Sequence, residues 1–383
     1  VTSPEKVVRL AARGDGITES GRFVPGAVPG DMVEGVVVIM AGAHHTKPPC
    51  RHFPECGGCQ LQHVDDAAYA DYLKDRIASA LAAQGVAAPE IREPQLSPPR
   101  SRRRAGLKAA GGSVGFSAQA SHRIVDMREC HILRGELFAL VAPLRRLLNG
   151  RAEAAMMLAD QGVDLLLEGV AAGTLEEAEA MTAFARENCL ARLAFDDGFG
   201  AQTVWEPEPV TVTLSGTPVA LPHGAFLQAT AEGEAALVAA VREAVGEAAI
   251  VADLFAGLGT FALALEAKVY AAEGARDAAL ALKRAGRGLT VDHRDLFRRP
   301  LDAAELNRFE AVVLDPPRAG AKEQAPLLAA SSVPRIAYVS CNPATFARDA
   351  RLLADGGYRL DWVRPVGQFR WSTHIELAAA FAK

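Results

Sequence analysis

From about residue 225 to the C-terminus, apolar strand-like runs alternate with helical ones, and few folds accommodate that order. A helical "AEGEAALVAAVREAV" leads into the strand "AIVADLF" and a helix over "FALALEA". The strand "KVYAAE", the helix "RDAALALKRA" and the strands "LTVDH" and "FEAVVLD" follow. A helix near "KEQAPLLAA", the strand "RIAYVSC" and the helix "ATFARDARLLAD" come next. Two last strands, "YRLDWVRPV" and "HIELAAAFAK", are joined by a hairpin-like excursion. Such alternation predicts an α/β domain over residues 221–383, a mostly parallel sheet covered on both faces, with ligands at the carboxyl ends of its strands.

The strand ends carry the chemistry. In "VADLFAGLGTFAL", Asp253 ends a strand, and Gly257 and Gly259 make a tight turn into a helix. Glycine there lets the backbone approach a ligand closely, and the helix start offers free N–H groups. Twenty residues later Glu273 ends the next strand, where its carboxylate suits both hydroxyls of a ribose. The third strand is read to end at Asp295, in "DHRDLF", placed to receive an adenine amino group. The third glycine of a pyrophosphate-binding G-x-G-x-x-G is absent, so a nucleoside without a diphosphate fits, and S-adenosylmethionine is the common one.

Asp315, in "VVLDPPRAGA", ends another strand and is followed by two prolines that stiffen its loop. Cys341 ends the next strand, in "YVSCNPATFARD", and Glu376 begins the last one, in "WSTHIEL". A lone cysteine at a strand end is more often a small buried apolar residue than a nucleophile. Its place in the strand order, with a carboxylate beside the same crevice, points the other way.

Taken in order, "DLFAGLGTF", "DPPRAGA", "YVSCNPATFARD" and "THIE" resemble the S-adenosylmethionine-dependent RNA uracil-5 methyltransferases, over nearly the whole chain. The resemblance implies a Rossmann-like class I methyltransferase domain in which Cys341 adds to uracil carbon 6, Glu376 is the general base and Asp315 touches cofactor and uracil. It implies that Phe255, Thr260, Glu273 and Asp315 line the cofactor pocket, with Gln228 of "PHGAFLQAT" near the methionine end and Arg318 helping to hold RNA. The approach "GQFRWSTHIE" departs from the family's usual acid-x-Phe-Pro-His-Thr at Gly367, Arg370 and Trp371.

Upstream, residues 1–45 read as short strands broken by Gly-Asp-Gly, Ser-Gly and Pro-Gly turns, which predicts a small OB-like β-barrel. Its "RGDGI…FVPGAVPGDMV" resembles the RNA-binding TRAM domain of many family members, and the stretch between it and Cys50 is shortened. Residues 46–92 and 93–220 are expected to form a cysteine-bound segment and an α+β middle domain. A helix is expected from Ala67 to Gln84, stopped by Gly85. Cys50, Cys56, Cys59 and Cys130 offer four thiolates, which suit zinc or a four-iron cluster. This three-plus-one spacing leans to iron–sulfur, and the resemblance implies a 4Fe-4S cluster rather than zinc. His52 and His131 are expected to be hydrogen-bonding neighbours rather than ligands, and Cys189 a core residue.

Charge locates a partner. The net charge is −5 and argues against a general nucleic-acid binder, but residues 100–151 hold eleven Lys/Arg against three Asp/Glu, and residues 152–210 two against twelve. A basic block that includes Arg102, Arg103 and Arg104 can neutralise phosphates of RNA, while the acidic stretch limits indiscriminate binding. Among RNAs the family resemblance favours 23S ribosomal RNA, with the tRNA T-loop as the alternative. No run nears the roughly 18 apolar residues of a membrane span, and no signal peptide is read at the N-terminus, so a cytoplasmic monomer is expected. Two rival readings are an amino-group methyltransferase, which has no use for Cys341 or Glu376, and a non-catalytic RNA binder.

Overall fold

The computed structural model describes residues 3–87, 90–170, 174–286 and 288–383. Its largest sheet runs, from one edge, Thr290–His293, Lys268–Glu273, Ile250–Leu254, Ala311–Leu314, Arg335–Ser340, Glu376–Ala382, Arg359–Gly367 and Glu90–Ile91. The first five strands are parallel. Glu376–Ala382 is antiparallel to both neighbours, which closes the hairpin-like end expected from the sequence. The chain order reverses between Ile250–Leu254 and Ala311–Leu314. A crevice opens at such a switch point, beyond the strands' carboxyl ends.

Helices cover both faces. On one, Ala231–Val245 is capped by Thr230, whose hydroxyl accepts from the Gly233 N–H, and buries Leu237 and Val241 against Val251, Val313 and Val339. On the other, Asp66–Ala83 and Pro343–Asp355 bring Tyr69, Leu73 and Ile77 onto Phe346 and Leu353. Each such fully buried large apolar side chain stabilises the fold by about 2 kcal/mol. The segment 66–96 therefore packs on the C-terminal sheet and adds strands to it; Gln95–Leu96 also pairs with Arg359–Gly367.

The middle region is a six-stranded sheet ordered Gln202–Trp205, Arg192–Asp196, Gly162–Glu168, Ala152–Ala159, Arg104–Ala110 and Ser113–Gly115. One face is covered by Gly135–Ala139, Val141–Leu147 and Leu175–Glu187, which bury Leu137, Leu144, Met181 and Phe184. The N-terminal strands Glu5–Leu10, Gly16–Thr18, Phe23–Val24, Met32–Glu34 and Val37–Met40 form one hydrogen-bonded line. Among the described residues, strand pairing does not close the expected barrel: the outermost strands, two and four residues long, are not paired with each other. No helix among the described residues is long and apolar enough to cross a membrane.

Two local expectations are corrected. "FALALEA" is not an α-helix but a single 3₁₀ turn, Ala262–Ala264. The buried Asp253 carboxylate accepts from the Ala262 N–H at 2.8 Å and the strand Lys268–Glu273 starts four residues later, which leaves no room for more turns. Cys189 is exposed rather than core. It follows the helix Leu175–Glu187 with φ at 50°, so its side chain turns away from the buried face.

Candidate active site and the cysteine pocket

The register Ser340↔Leu377 sets Cys341 and Glu376 side by side at the mouth of the crevice. Asp315 leaves the neighbouring strand Ala311–Leu314, and its N–H donates to the Leu254 carbonyl at 3.3 Å. Glu376 is 5 % exposed. Burial, then the Asp315 charge, pushes its carboxyl up to about 8, while Gln368, Arg104 and Arg318 pull it down. Burial lifts Asp315 to about 7. The Cys341 thiol rises to about 11 through burial and the Glu376 and Asp315 charges, with Arg318 opposing. The three groups therefore sense one another within one poorly hydrated cleft.

The loop after Asp315 is held by the helix that follows Cys341. Asn342 Nδ2 and Thr345 Oγ1 donate to the Arg318 carbonyl at 3.1 and 3.2 Å, and the buried Asp349 accepts from the Ala321 N–H at 2.7 Å. Arg318 itself is exposed and meets His374 Nδ1 at 3.2 Å. This arrangement can place a nucleophilic sulfur, a proton acceptor and a second carboxyl around one planar ring.

The glycine turn is where the sequence predicts the cofactor. Phe255, Gly257 and Gly259 have φ of 67°, 56° and 93°. Glu273 accepts from the Gly257 N–H at 2.7 Å and from the Ala275 N–H at 2.6 Å, so its carboxylate faces the turn with lone pairs to spare. Thr260 is half-buried in the same turn. Asp295 is exposed two residues beyond its strand and accepts from the Phe297 N–H at 3.0 Å. Asp253 faces inward instead, and burial lifts its carboxyl to about 7. Gln228 is 3 % exposed; its amide nitrogen points at Asp315 Oδ2 (3.5 Å) and its oxygen accepts from Gln368 Nε2 at 2.8 Å.

An RNA methyltransferase of Zymomonas mobilis, itself uncharacterized, is 53 % identical over 99 % of this chain and 100 % of its own. The 23S rRNA (uracil(1939)-C(5))-methyltransferase of Halomonas elongata is 31 % identical over 92 % of this chain and 83 % of its own. The profile of the tRNA (uracil-5-)-methyltransferase family matches residues 288–383. This chain belongs to the RNA uracil-5 methyltransferase family. Its fold also matches that of the Pyrococcus abyssi tRNA (uracil-54, C5)-methyltransferase in complex with S-adenosyl-L-homocysteine, with a TM-score of 0.72, 20 % identity and coverage of 99 % and 100 % of the two chains. The protein is thus an S-adenosylmethionine-dependent RNA methyltransferase.

The methyltransferase has further groups at the cleft that its sequence motifs do not announce. Gln368 bridges Gln228 and the Ala229 N–H and reaches Glu376. Arg104, expected among the phosphate contacts, is largely buried near Glu376 and Cys341, and desolvation lowers its guanidinium to about 10. Phe297 lies beside Phe255, their rings 5.5 Å apart. Only the pairing of distant segments brings these residues together. Arg102, Arg104, Arg318, Phe116, Phe369 and His374 line one groove that leads from the cysteine segment to the cleft.

Cys50, Cys56, Cys59 and Cys130 converge on a single pocket. Burial is the first cause that raises each thiol; the other cysteines' charges raise Cys50, Cys56 and Cys59 further, and Cys59 reaches about 12. Four crowded, desolvated sulfurs can ionise together only beside strong positive charge, which is the donor chemistry of a thiolate-bound metal group. Among the described residues no three His, Cys, Asp or Glu side chains are arranged as a ready single-ion site. His52 Nε2 accepts from the Arg128 N–H at 3.0 Å, and His131 lies 3.8 Å from Glu129.

Proposed function

We propose that the protein methylates carbon 5 of a uridine in 23S ribosomal RNA through a transient bond between Cys341 and the uracil ring. The observation that carries the chemistry is the single cleft holding Cys341, Glu376 and Asp315. The Halomonas elongata relative, which acts on 23S ribosomal RNA, supports the substrate. A flipped base is needed, because carbon 6 is not reachable within a stack.

Cys341 sulfur attacks carbon 6, and the displaced electron pair makes carbon 5 nucleophilic. S-adenosylmethionine supplies the methyl group that carbon 5 takes. Glu376 then removes the carbon-5 proton; the C–H electrons restore the ring double bond, and the C–S pair returns to the sulfur. Asp315, with Gln228 beside it, orients both partners. Glu273 would accept from the ribose hydroxyls, the adjoining rings of Phe255 and Phe297 would form an apolar wall for the adenine, and Asp295 would meet its amino group, with Gly257 and Thr260 in the turn below. Glu273→Gln should weaken cofactor binding by roughly 30-fold, about 2 kcal/mol for a lost charged hydrogen bond. Isothermal titration measures it, and an unchanged Kd contradicts the assignment.

The pH dependence follows from the cleft. In the free enzyme the thiol at about 11 and the carboxyl at about 8 both hold their protons at pH 7, and both must release them. The account therefore predicts that kcat/KM rises steadily from pH 7 to 9, since this ratio reports the free enzyme's groups. A profile that is flat or falls over that range contradicts it.

Cys50, Cys56, Cys59 and Cys130 fit a 4Fe-4S cluster, which would tie the segment before the helix Asp66–Ala83 to the middle sheet. Methyl transfer makes no redox demand on it. Incubation with tritiated cofactor and unmodified total RNA, followed by nuclease mapping, tests the substrate. Label in 23S RNA as 5-methyluridine supports the proposal, and label confined to tRNA overturns the choice of RNA.

A further inference from the structure

The segment 368–375, where the sequence departs from the family pattern, leads directly into Glu376. Trp371 sits in it with φ at 58°, a left-handed conformation that strains a non-glycine residue. Something must hold it there. Its carbonyl accepts from both the Gln60 and Leu61 N–H groups, at 2.8 and 2.9 Å, and these are the two residues after Cys59. Its indole is buried in the same apolar cluster as Cys59, Ile132 and Leu133.

Further ties run the same way. Gln60 Oε1 accepts from the Thr373 N–H at 3.4 Å, while its amide nitrogen donates to the Gly57 carbonyl at 2.6 Å within the cysteine segment. The Arg102 guanidinium lies between the rings of Phe116 and Phe369, 5.7 and 5.4 Å from their centroids. Tyr69 OH reaches the Phe369 and Ser372 carbonyls at 3.2 and 3.1 Å. From residue 50 to 61 the cysteine segment has turns and one isolated bridge, Cys56 to Ala118, but no helix or strand of its own, so a metal group on its thiols would add to few backbone ties.

We propose that Gln60, Leu61 and Trp371 are positioning residues for the base: the peptide after Cys59 grips Trp371, sets the loop that delivers Glu376, and is itself kept in place by a metal group on the four cysteines. This rests on the readings above of Glu376 as the base and of the cysteines as a metal site. The cysteine pocket then serves the reaction by geometry, without exchanging electrons.

The test compares full-length protein prepared without oxygen, the same protein after metal removal by chelation, and Gln60→Leu with its metal content measured. Amide hydrogen exchange over 368–375 should quicken at least about tenfold after metal removal and in Gln60→Leu. Both should accumulate a covalent RNA adduct at Cys341 on ordinary uridine substrate, because carbon-sulfur cleavage waits on the proton that Glu376 removes. Gln60→Glu, which keeps the acceptor for the Thr373 N–H, should recover most of the protection. Exchange over 368–375 that stays unchanged in metal-depleted protein and in metal-replete Gln60→Leu overturns the grip. Wild-type protein that holds neither iron nor zinc overturns the metal reading itself, a separate result.

Discussion

Cys341→Ala is expected to lower methyl incorporation into RNA by a factor on the order of 10⁴ or more, while cofactor affinity stays within about twofold. Removing a covalent nucleophile typically costs 10⁴ to 10⁶ in rate, because the groups that remain have no activated atom to work on. Without sulfur on carbon 6, carbon 5 stays part of an electron-poor ring, and proximity to the methyl donor does not change that. The proposed cofactor side is a different set of residues around Phe255, Gly257 and Glu273. Cys341→Ser should not restore turnover, since a serine hydroxyl ionises far less readily than a thiol and is a far weaker nucleophile. Single-turnover assays with tritiated cofactor measure both rates, and a loss under tenfold contradicts the account.

Glu376→Gln separates the two halves of the reaction. In the proposed reaction sulfur addition and methyl transfer precede proton removal, so both should survive the substitution. Elimination should not, because an amide cannot take the carbon-5 proton. Turnover is expected to fall by about 10² to 10⁴, the usual contribution of a general base. A methylated RNA–protein adduct, stable to denaturing gels, should approach one per enzyme. The fold should tolerate the change well. Burial already holds this carboxyl protonated near neutral pH, so an amide replaces one uncharged buried group by another. Retained turnover would place the proton acceptor elsewhere, and lost turnover without any adduct would place Glu376's role before methyl transfer.

The alternating pattern after residue 225 predicts the central parallel strands and the helices around them, because strands buried on both faces need continuous apolar runs such as "AVVL". The same reasoning cannot rank acids at strand ends. Asp253, Glu273 and Asp295 look equivalent in the sequence, yet Asp253 is fully buried on Ala262 and Asp295 is exposed. Side-chain direction at a strand end depends on the turn beyond it, and "FALALEA" proves shorter than its helical period implies. The motifs bring Cys341, Glu376 and Asp315 together because strand order alone does so. Arg104 reads as a phosphate contact and Gln368 as an ordinary loop residue, since Arg104 nears Glu376 and Gln368 meets Gln228 and Ala229 only across more than a hundred residues of chain. The strands Glu90–Ile91 and Gln95–Leu96 join the large sheet for a similar reason: two-residue strands carry no periodicity to read.

One measurement bears most directly on the proposed sulfur–carbon bond. RNA carrying 5-fluorouridine at the target position cannot yield a removable carbon-5 proton, so it should halt the reaction after methyl transfer. Incubated with the intact protein and S-adenosylmethionine, digested and analysed by mass spectrometry, it should yield one methylated fluorouridine nucleotide attached to the peptide that contains Cys341. No attachment on an enzyme that methylates the ordinary RNA, or attachment through any other residue, would contradict the account.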